Sequence, residues 1–286
     1  MATLWNCLNY APYVLFVLTM LTFVVPCRFR VRTQAIWAMV LLVCFSKFLV
    51  YRELGGDSFA PWLPEKVIWL WNWGYAGACI LLALGVLTVF WRFPRKGLVL
   101  PLLAWGLAAC GIWNGVKIPE VCEIELAFPD LPPELAGYRI VQVSDIHAST
   151  AARRWRTEAI VRRVNEQKPD LICLTGDFTD VEPTRHFRYL EPLEDLRATD
   201  GVWASTGNHE FYHDFYRRWR PWYERWGIRF LRNGCAFPRP GLALGGVDDR
   251  AFDGGAIPPV NPHVGAAFAS ATNGEFRVLL QHRPSG

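Results

Sequence analysis

Three apolar runs, each ended abruptly by a polar cluster and spaced about thirty residues apart, constrain the C-terminal half of the chain to an alternating α/β arrangement. The runs are Tyr138 to Val143, Leu171 to Leu174 and Val202 to Ser205, and each reads as a buried strand. They deliver Asp145-Ile146-His147, Gly176-Asp177 and Gly207-Asn208-His209-Glu210 to the strand ends. Helix-like segments, Arg153 to Gln167 and Thr184 to Arg197, lie between them, which implies parallel strands joined by crossovers. Sites in such sheets form at the carboxyl ends of the strands. Carboxylates, imidazoles and an amide gathered at that one edge are the ligand types of a hard or borderline divalent cation.

The N-terminal half is different in kind. Four apolar stretches, about Tyr10 to Pro26, Ala35 to Tyr51, Val67 to Trp91 and Leu98 to Val116, approach the length a bilayer demands and lack a polar face. They are read as four transmembrane helices, with Lys47 snorkelling and Trp5, Trp62, Trp69, Trp71, Trp73, Trp91 and Trp113 near segment ends as an interfacial belt. The first stretch lacks a basic leader and a small-residue cleavage site, so it reads as a retained anchor. Midplane carboxylates are absent, which argues against transport or proton relay. Arg28, Arg30 and Arg32 in the first loop, and Arg92, Arg95 and Lys96 in the third, place those loops in the cytoplasm. The expected setting is a multi-pass protein of an inner or plasma membrane, with the domain after Val116 facing the periplasm or cell exterior.

Residues 1–116 carry a net charge of +6 and residues 117–286 a net −2, so the basic surplus belongs to the apolar half. That distribution disfavours duplex nucleic acid as a partner of the motif-bearing half. The eight cysteines include no Cys-x-x-Cys, which excludes a zinc ribbon. Pairing of Cys122 with Cys235 and the oligomeric state are not fixed by sequence. Residues 117–136 read as a Pro-rich linker with an edge strand at Glu123 to Phe128, and residues 137–286 as the α/β domain. Further strands are expected at Ile228 to Leu231, Leu242 to Gly245 and Phe276 to Leu280, the last delivering His282. Phe215 to Trp226 has two readings. It is an amphipathic helix covering the sheet, or a basic aromatic surface for a membrane or a phosphorylated substrate. His186, His213 and His263 match no motif and read as solvated or locally bonded histidines.

The ordered motif set resembles the calcineurin-like metallophosphoesterases, whose pattern runs Asp-x-His, Gly-Asp, Gly-Asn-His-Asp/Glu, a lone His, then Gly-His-x-His. The resemblance covers about Gly137 to Gly286, and the order of helices then domain is similar to bacterial membrane-anchored members. Gly246-Val-Asp-Asp249 also looks like that group. It implies an α/β/β/α sandwich behind a multi-pass helical anchor and two divalent ions, Mn, Fe, Zn or Mg. Asp145 and His147 would hold one ion, Asp177 would bridge both, and Asn208 and His282 would hold the second. His209 would be the catalytic acid, with Glu210 orienting it. A two-metal-activated hydroxide would then hydrolyse a phosphodiester or phosphomonoester. Substrate identity stays open: an anchored site suits lipid-linked phosphoesters or pyrophosphates, such as acylated sugar nucleotides, and the resemblance also allows soluble nucleotides and phosphomonoesters. Only Arg283, Pro284, Ser285 and Gly286 follow His282, so Gly-His-x-His is missing. The expectation is a truncated sequence in which each ion lacks one imidazole, which puts activity of these 286 residues in question. The competing expectation is a non-catalytic membrane sensor or scaffold with a degenerate site. A nuclease is the third.

Overall fold

The computed structural model describes residues 2–54, 62–150, 152–249 and 263–283, with the side chains of residues 2–10, 48, 51, 52 and 212–215 outside that description. Trp5 and His213 therefore lie outside the described side chains. The chain divides into two compact units, Met1–Lys117 and Ile118–Gly286.

The first unit is helical. Two helices, α4 (Glu65–Thr88) and α5 (Lys96–Val116), are long and apolar enough to cross a membrane. At about 1.5 Å per residue they span about 36 and 32 Å, against a hydrocarbon core of about 30 Å. The first two apolar stretches form shorter helices. In the first, α1 (Ala2–Thr19) ends in a π turn, Met20–Val24. In the second, α2 (Val31–Phe45) stops at Ser46 before α3 (Lys47–Leu54), where the Ser46 hydroxyl donates to the Val43 carbonyl. Trp62, Trp69, Trp91 and Trp113 are exposed, whereas two other tryptophans are inter-helix staples. The Trp71 indole donates to Val43 O at 2.6 Å and that of Trp73 to Trp105 O at 3.0 Å. Lys47 does not simply snorkel, since its ammonium sits over the Tyr75 ring.

The second unit is built on two sheets. Strands β1 (Ile140–Val143), β2 (Leu171–Thr175), β3 (Val202–Ser205) and β4 (Ile228–Phe230) form a parallel sheet in that order. Strands β5 (Gly234–Arg239), β6 (Leu242–Gly246) and β7 (Phe276–Leu280) form a mixed sheet, antiparallel between β5 and β6 and parallel between β6 and β7. Alternation along β2 sends Leu171 and Cys173 into one core with Trp203, Leu242, Leu244 and Leu280, which joins the two sheets. Beyond the first sheet lies α6 (Arg154–Glu166), burying Ile160, Val161 and Val164. There too lies α8 (Phe215–Arg225), whose Trp219 and Tyr223 are fully buried, with Tyr223 in edge contact with Phe178. On the second sheet, Phe268 lies where a side chain at Gly245 would project, just after the short α9 (Val264–Ala267).

Three expectations are corrected. Thr184 to Arg197 is not one helix but α7 (Pro183–His186) followed by the 3-10 turns Phe187–Tyr189 and Glu191–Asp195. Pro192 cannot donate a backbone N–H or accept a continuous helix before it, so the segment breaks into turns. Glu123 to Phe128 has no ladder partner among the described residues and is not a strand, although Phe128 packs on Phe276 at 4.9 Å. Strand β5 was not expected, and it contains Pro238. It is tolerated because β5 is an edge strand and its pairing with β6 is irregular between Ala236 and Arg239. Cys122 and Cys235 are free thiols.

Candidate metal centre

Past the ends of β1 and β2 the backbone keeps zipping together. Asp145 N–H donates to Gly176 O, His147 N–H to Asp177 O and Ala148 N–H to Phe178 O, at 2.9 to 3.1 Å. This pairing holds three non-glycine residues in the left-handed region, Asp145 (φ 55°), His147 (φ 43°) and Asp177 (φ 55°). Such conformations cost of order 1–3 kcal/mol each and persist only where the surroundings impose them. The loops after β2 and β3 then touch. A Cβ on Gly176 would lie 2.3 Å from Gly207 N, and one on Gly207 would lie 2.2 Å from Asp177 Oδ1, so only glycine fits either place.

Asp177 is the centre of the arrangement and is 3% exposed. Its Oδ1 accepts from the His209 backbone N–H at 2.9 Å, which leaves Oδ2 facing three imidazoles. The Nε2 atoms of His282, His147 and His209 lie 3.3, 3.5 and 4.0 Å from it. Asp145 Oδ1 is 3.5 Å from His147 Nε2, and its other oxygen accepts from Ser144. Asn208 is half-buried in the turn between Gly207 and His209. The fold therefore places Asp145, His147, Asp177, Asn208, His209 and His282 at one edge, although His282 comes from the other sheet.

The sequence reading missed Asp180. Its Oδ1 meets His147 Nδ1 at 2.9 Å and His209 Nδ1 at 2.6 Å, so one carboxylate fixes the tautomer and aim of both rings. The signal was a second aspartate three residues after Asp177, where side chains in a turn return to the same edge. Burial pushes the Asp180 carboxyl up, but its bonds to the two histidines outweigh that and leave it below the ordinary value. The expected role of Glu210 is corrected by its contacts. Glu210 is buried and accepts from the backbone N–H groups of Asp177 (2.8 Å), Gly207 (2.7 Å) and Phe178 (2.9 Å). It clamps the loops on which His209 and Asp177 sit, and Asp180 is the carboxylate at the His209 ring. Burial pushes its carboxyl above the ordinary value, against the pull of the three donors. His263 is local, since its Nδ1 accepts from Ala266 N–H at the start of α9, and His186 lies beside Tyr189.

Asp248 and Asp249 brace the site from the second sheet. Asp248 is buried, paired with Arg232 through three contacts of 2.7 to 3.0 Å, and accepts from the Thr206 hydroxyl. Asp249 pairs with Arg283, next to His282.

A model of the family described as calcineurin-like phosphoesterase matches residues 138–286, which is the motif-bearing unit from just before β1 onward. The chain belongs to the calcineurin-like phosphoesterases. It is 32% identical over 184 residues to a Danio rerio protein named transmembrane protein with metallophosphoesterase domain, covering 62% of this chain and 42% of the relative. It is 33% identical over 116 residues to a Campylobacter jejuni metallophosphoesterase, covering 41% and 30%. It is 28% identical over 120 residues to a Chlamydia trachomatis UDP-2,3-diacylglucosamine pyrophosphatase, covering 40% and 34%. The chain thus spans less than half the length of these curated relatives. No solved structure matches it.

Members of a metallophosphoesterase family bind divalent ions, and the donor set here fits them. His282 Nδ1 donates to Thr175 O at 2.8 Å, so its Nε2 is turned toward Asp177. Gaps of 3.3 to 3.5 Å between Asp177 Oδ2 and two ring nitrogens equal what two ligands about 2.1 Å from one ion leave between them. The electrostatics agree. The bond to Asp177 lifts His282 to about 9, and the bond to Asp180 lifts His147 above the ordinary histidine value. Burial lowers His209, but Asp180 more than reverses this. Three imidazoles whose protonated forms are all favoured mark a place where positive charge is stabilised.

Proposed function

We propose that the protein is a membrane-anchored, metal-dependent phosphoester hydrolase whose catalytic unit faces away from the cytoplasm and acts on lipid-linked phosphoesters or pyrophosphates. The observation that carries this reading is the buried Asp177 carboxylate faced by three imidazoles, two of them held through Nδ1 by Asp180. Asp145, His147 and Asp177 would hold one divalent ion, and Asp177, Asn208 and His282 a second. Such ions supply Lewis-acid activation of water and offset phosphoryl charge. His209 is the proton donor. Its Nδ1 is committed to Asp180, which leaves Nε2 to release a proton to the departing oxygen, a role worth about 10²–10⁴-fold. Glu210 fixes the distance between the Asp177 and His209 loops.

Two helices of membrane-crossing length support the anchor, and the two shorter apolar helices are read as further passes. The loop arginines support the orientation. The substrate class draws support from the anchor and from a relative named as a diacylglucosamine pyrophosphatase. The test expresses the protein from its complete reading frame, in detergent with Mn²⁺, and measures turnover of bis-p-nitrophenyl phosphate and of an acylated sugar-nucleotide pyrophosphate. Turnover that disappears in Asp177→Asn, with the fold retained, supports the reading. A parent without metal-dependent turnover on either substrate sinks it in favour of a sensor or scaffold.

A further inference from the structure

The arginine-rich helix α8 covers the first sheet with one face and leaves a second face outward. Inward, Tyr216, Trp219 and Tyr223 are buried against the first sheet. Outward, Arg217, Arg218, Arg220 and Arg225 are exposed against a single acidic residue, Glu224, which pairs with Arg220. Arg218, Trp222 and Arg225 share one side of the helix by their i, i+4, i+7 spacing. That side continues onto the turn after α7, where the half-buried Phe187 ring stacks on Trp222 at 5.4 Å with 19° between planes. The exposed Arg188 guanidinium lies beside the same ring. Arg188, Arg218 and Arg225 meet no carboxylate among the described residues. A concentration of cations on a half of the chain with a net −2 charge is a local feature, not the average of the surface.

We propose that this face, formed by Phe187, Arg188, Arg218, Trp222 and Arg225, docks the catalytic unit onto the anionic headgroup region of the bilayer that holds the chain. Guanidinium groups interleaved with half-buried aromatic rings match that layer, where phosphates meet the first methylene groups. The outer surface of one helix is convex, so it suits an extended charged plane better than the cradle that a soluble phosphate needs. The proposal rests on the membrane-anchored reading above. Because α8 follows directly on the turn His209–Asp214, docking sets the proton-donating histidine at the level from which a lipid-linked phosphate would be presented.

The test uses the full chain in nanodiscs of phosphatidylcholine alone or with about one quarter phosphatidylglycerol. An environment-sensitive fluorophore is placed at the exposed position 221, three residues after Arg218 and four before Arg225 on the same side of α8, through a reactive non-natural side chain that spares the native cysteines. Docking predicts a blue shift and an at least about two-fold drop in iodide quenching in the anionic discs, both lost near 0.5 M NaCl, where the Debye length falls to about 4 Å. Both are also lost in the triple variant Arg188→Glu, Arg218→Glu, Arg225→Glu, with the salt titration of the parent standing if that variant fails to fold. Equal emission in the two discs, with the protein still resisting an alkaline carbonate wash, overturns the docking and leaves the anchor intact. Release by carbonate overturns both. A shift produced by inorganic pyrophosphate in phosphatidylcholine discs overturns the proposal in favour of a soluble anion.

Discussion

Replacing Glu210 with glutamine keeps the shape of the clamp and reverses one of its contacts. One carboxylate oxygen takes the N–H groups of Asp177 and Gly207, and the other takes that of Phe178. A glutamine placed to best advantage keeps its carbonyl at the doubly bonded position, so its amide nitrogen faces the Phe178 N–H donor to donor. The loss is one hydrogen bond to a charged acceptor, about 1.5–3 kcal/mol, and two buried donors are left without acceptors at about 1–3 kcal/mol each. Against this, a neutral amide avoids the burial cost of a carboxylate. The net expectation is a destabilisation of about 2–4 kcal/mol. Pulse proteolysis in urea, following the band of the second unit, reads this as a fall in midpoint of about 1–2 M for a slope near 2 kcal/mol/M. A midpoint within about 0.3 M of the parent would refute the reasoning, because a glutamine is tolerated only if the native carboxyl is already protonated or the three contacts contribute nothing.

Two further substitutions probe the neighbouring braces. Asp180→Asn leaves the loops in place but removes the charge from the oxygen that both ring nitrogens share, so Mn²⁺ affinity measured by calorimetry should fall about 10–100-fold with the urea midpoint nearly unchanged; an unchanged affinity would exclude a role for that carboxylate charge in holding the rings. Arg232→Met strands the buried Asp248 and should cost about 3–5 kcal/mol, whereas the double variant with Asp248→Leu should recover more than half of it, read in the same proteolysis assay.

The strands that build the site were legible because each is a short apolar run stopped by residues that cannot continue it. Gly176 and Gly207 end β2 and β3 for a reason visible only in three dimensions, the contact of their two loops. What sequence did not carry was partnership. Glu210 was paired with its neighbour His209, whereas a buried carboxylate takes whichever donors are orphaned nearby, and here those are backbone N–H groups of two loops. Asp180 was invisible for the same reason, since its significance lies in two imidazoles contributed by different strands. Local punctuation was underread at Pro192, inside an expected helix that breaks into turns, whereas Pro238 is harmless within β5 because that strand lies at a sheet edge.

The bond from His282 to the Thr175 carbonyl joins residues 107 positions apart, and this separation orders the assembly of the centre in time. The loop that brings Asp145 to Gly176 is roughly a third as long, so its closure costs about 1 kcal/mol less in chain entropy. Contacts within the parallel sheet therefore form ahead of the one that crosses to β7, and a nascent chain would carry most of its ligand set before the last imidazole arrives. Opening follows the reverse order. A fluctuation that parts the two sheets removes His282 first and leaves the Asp145, His147 and Asp177 group together on its own sheet.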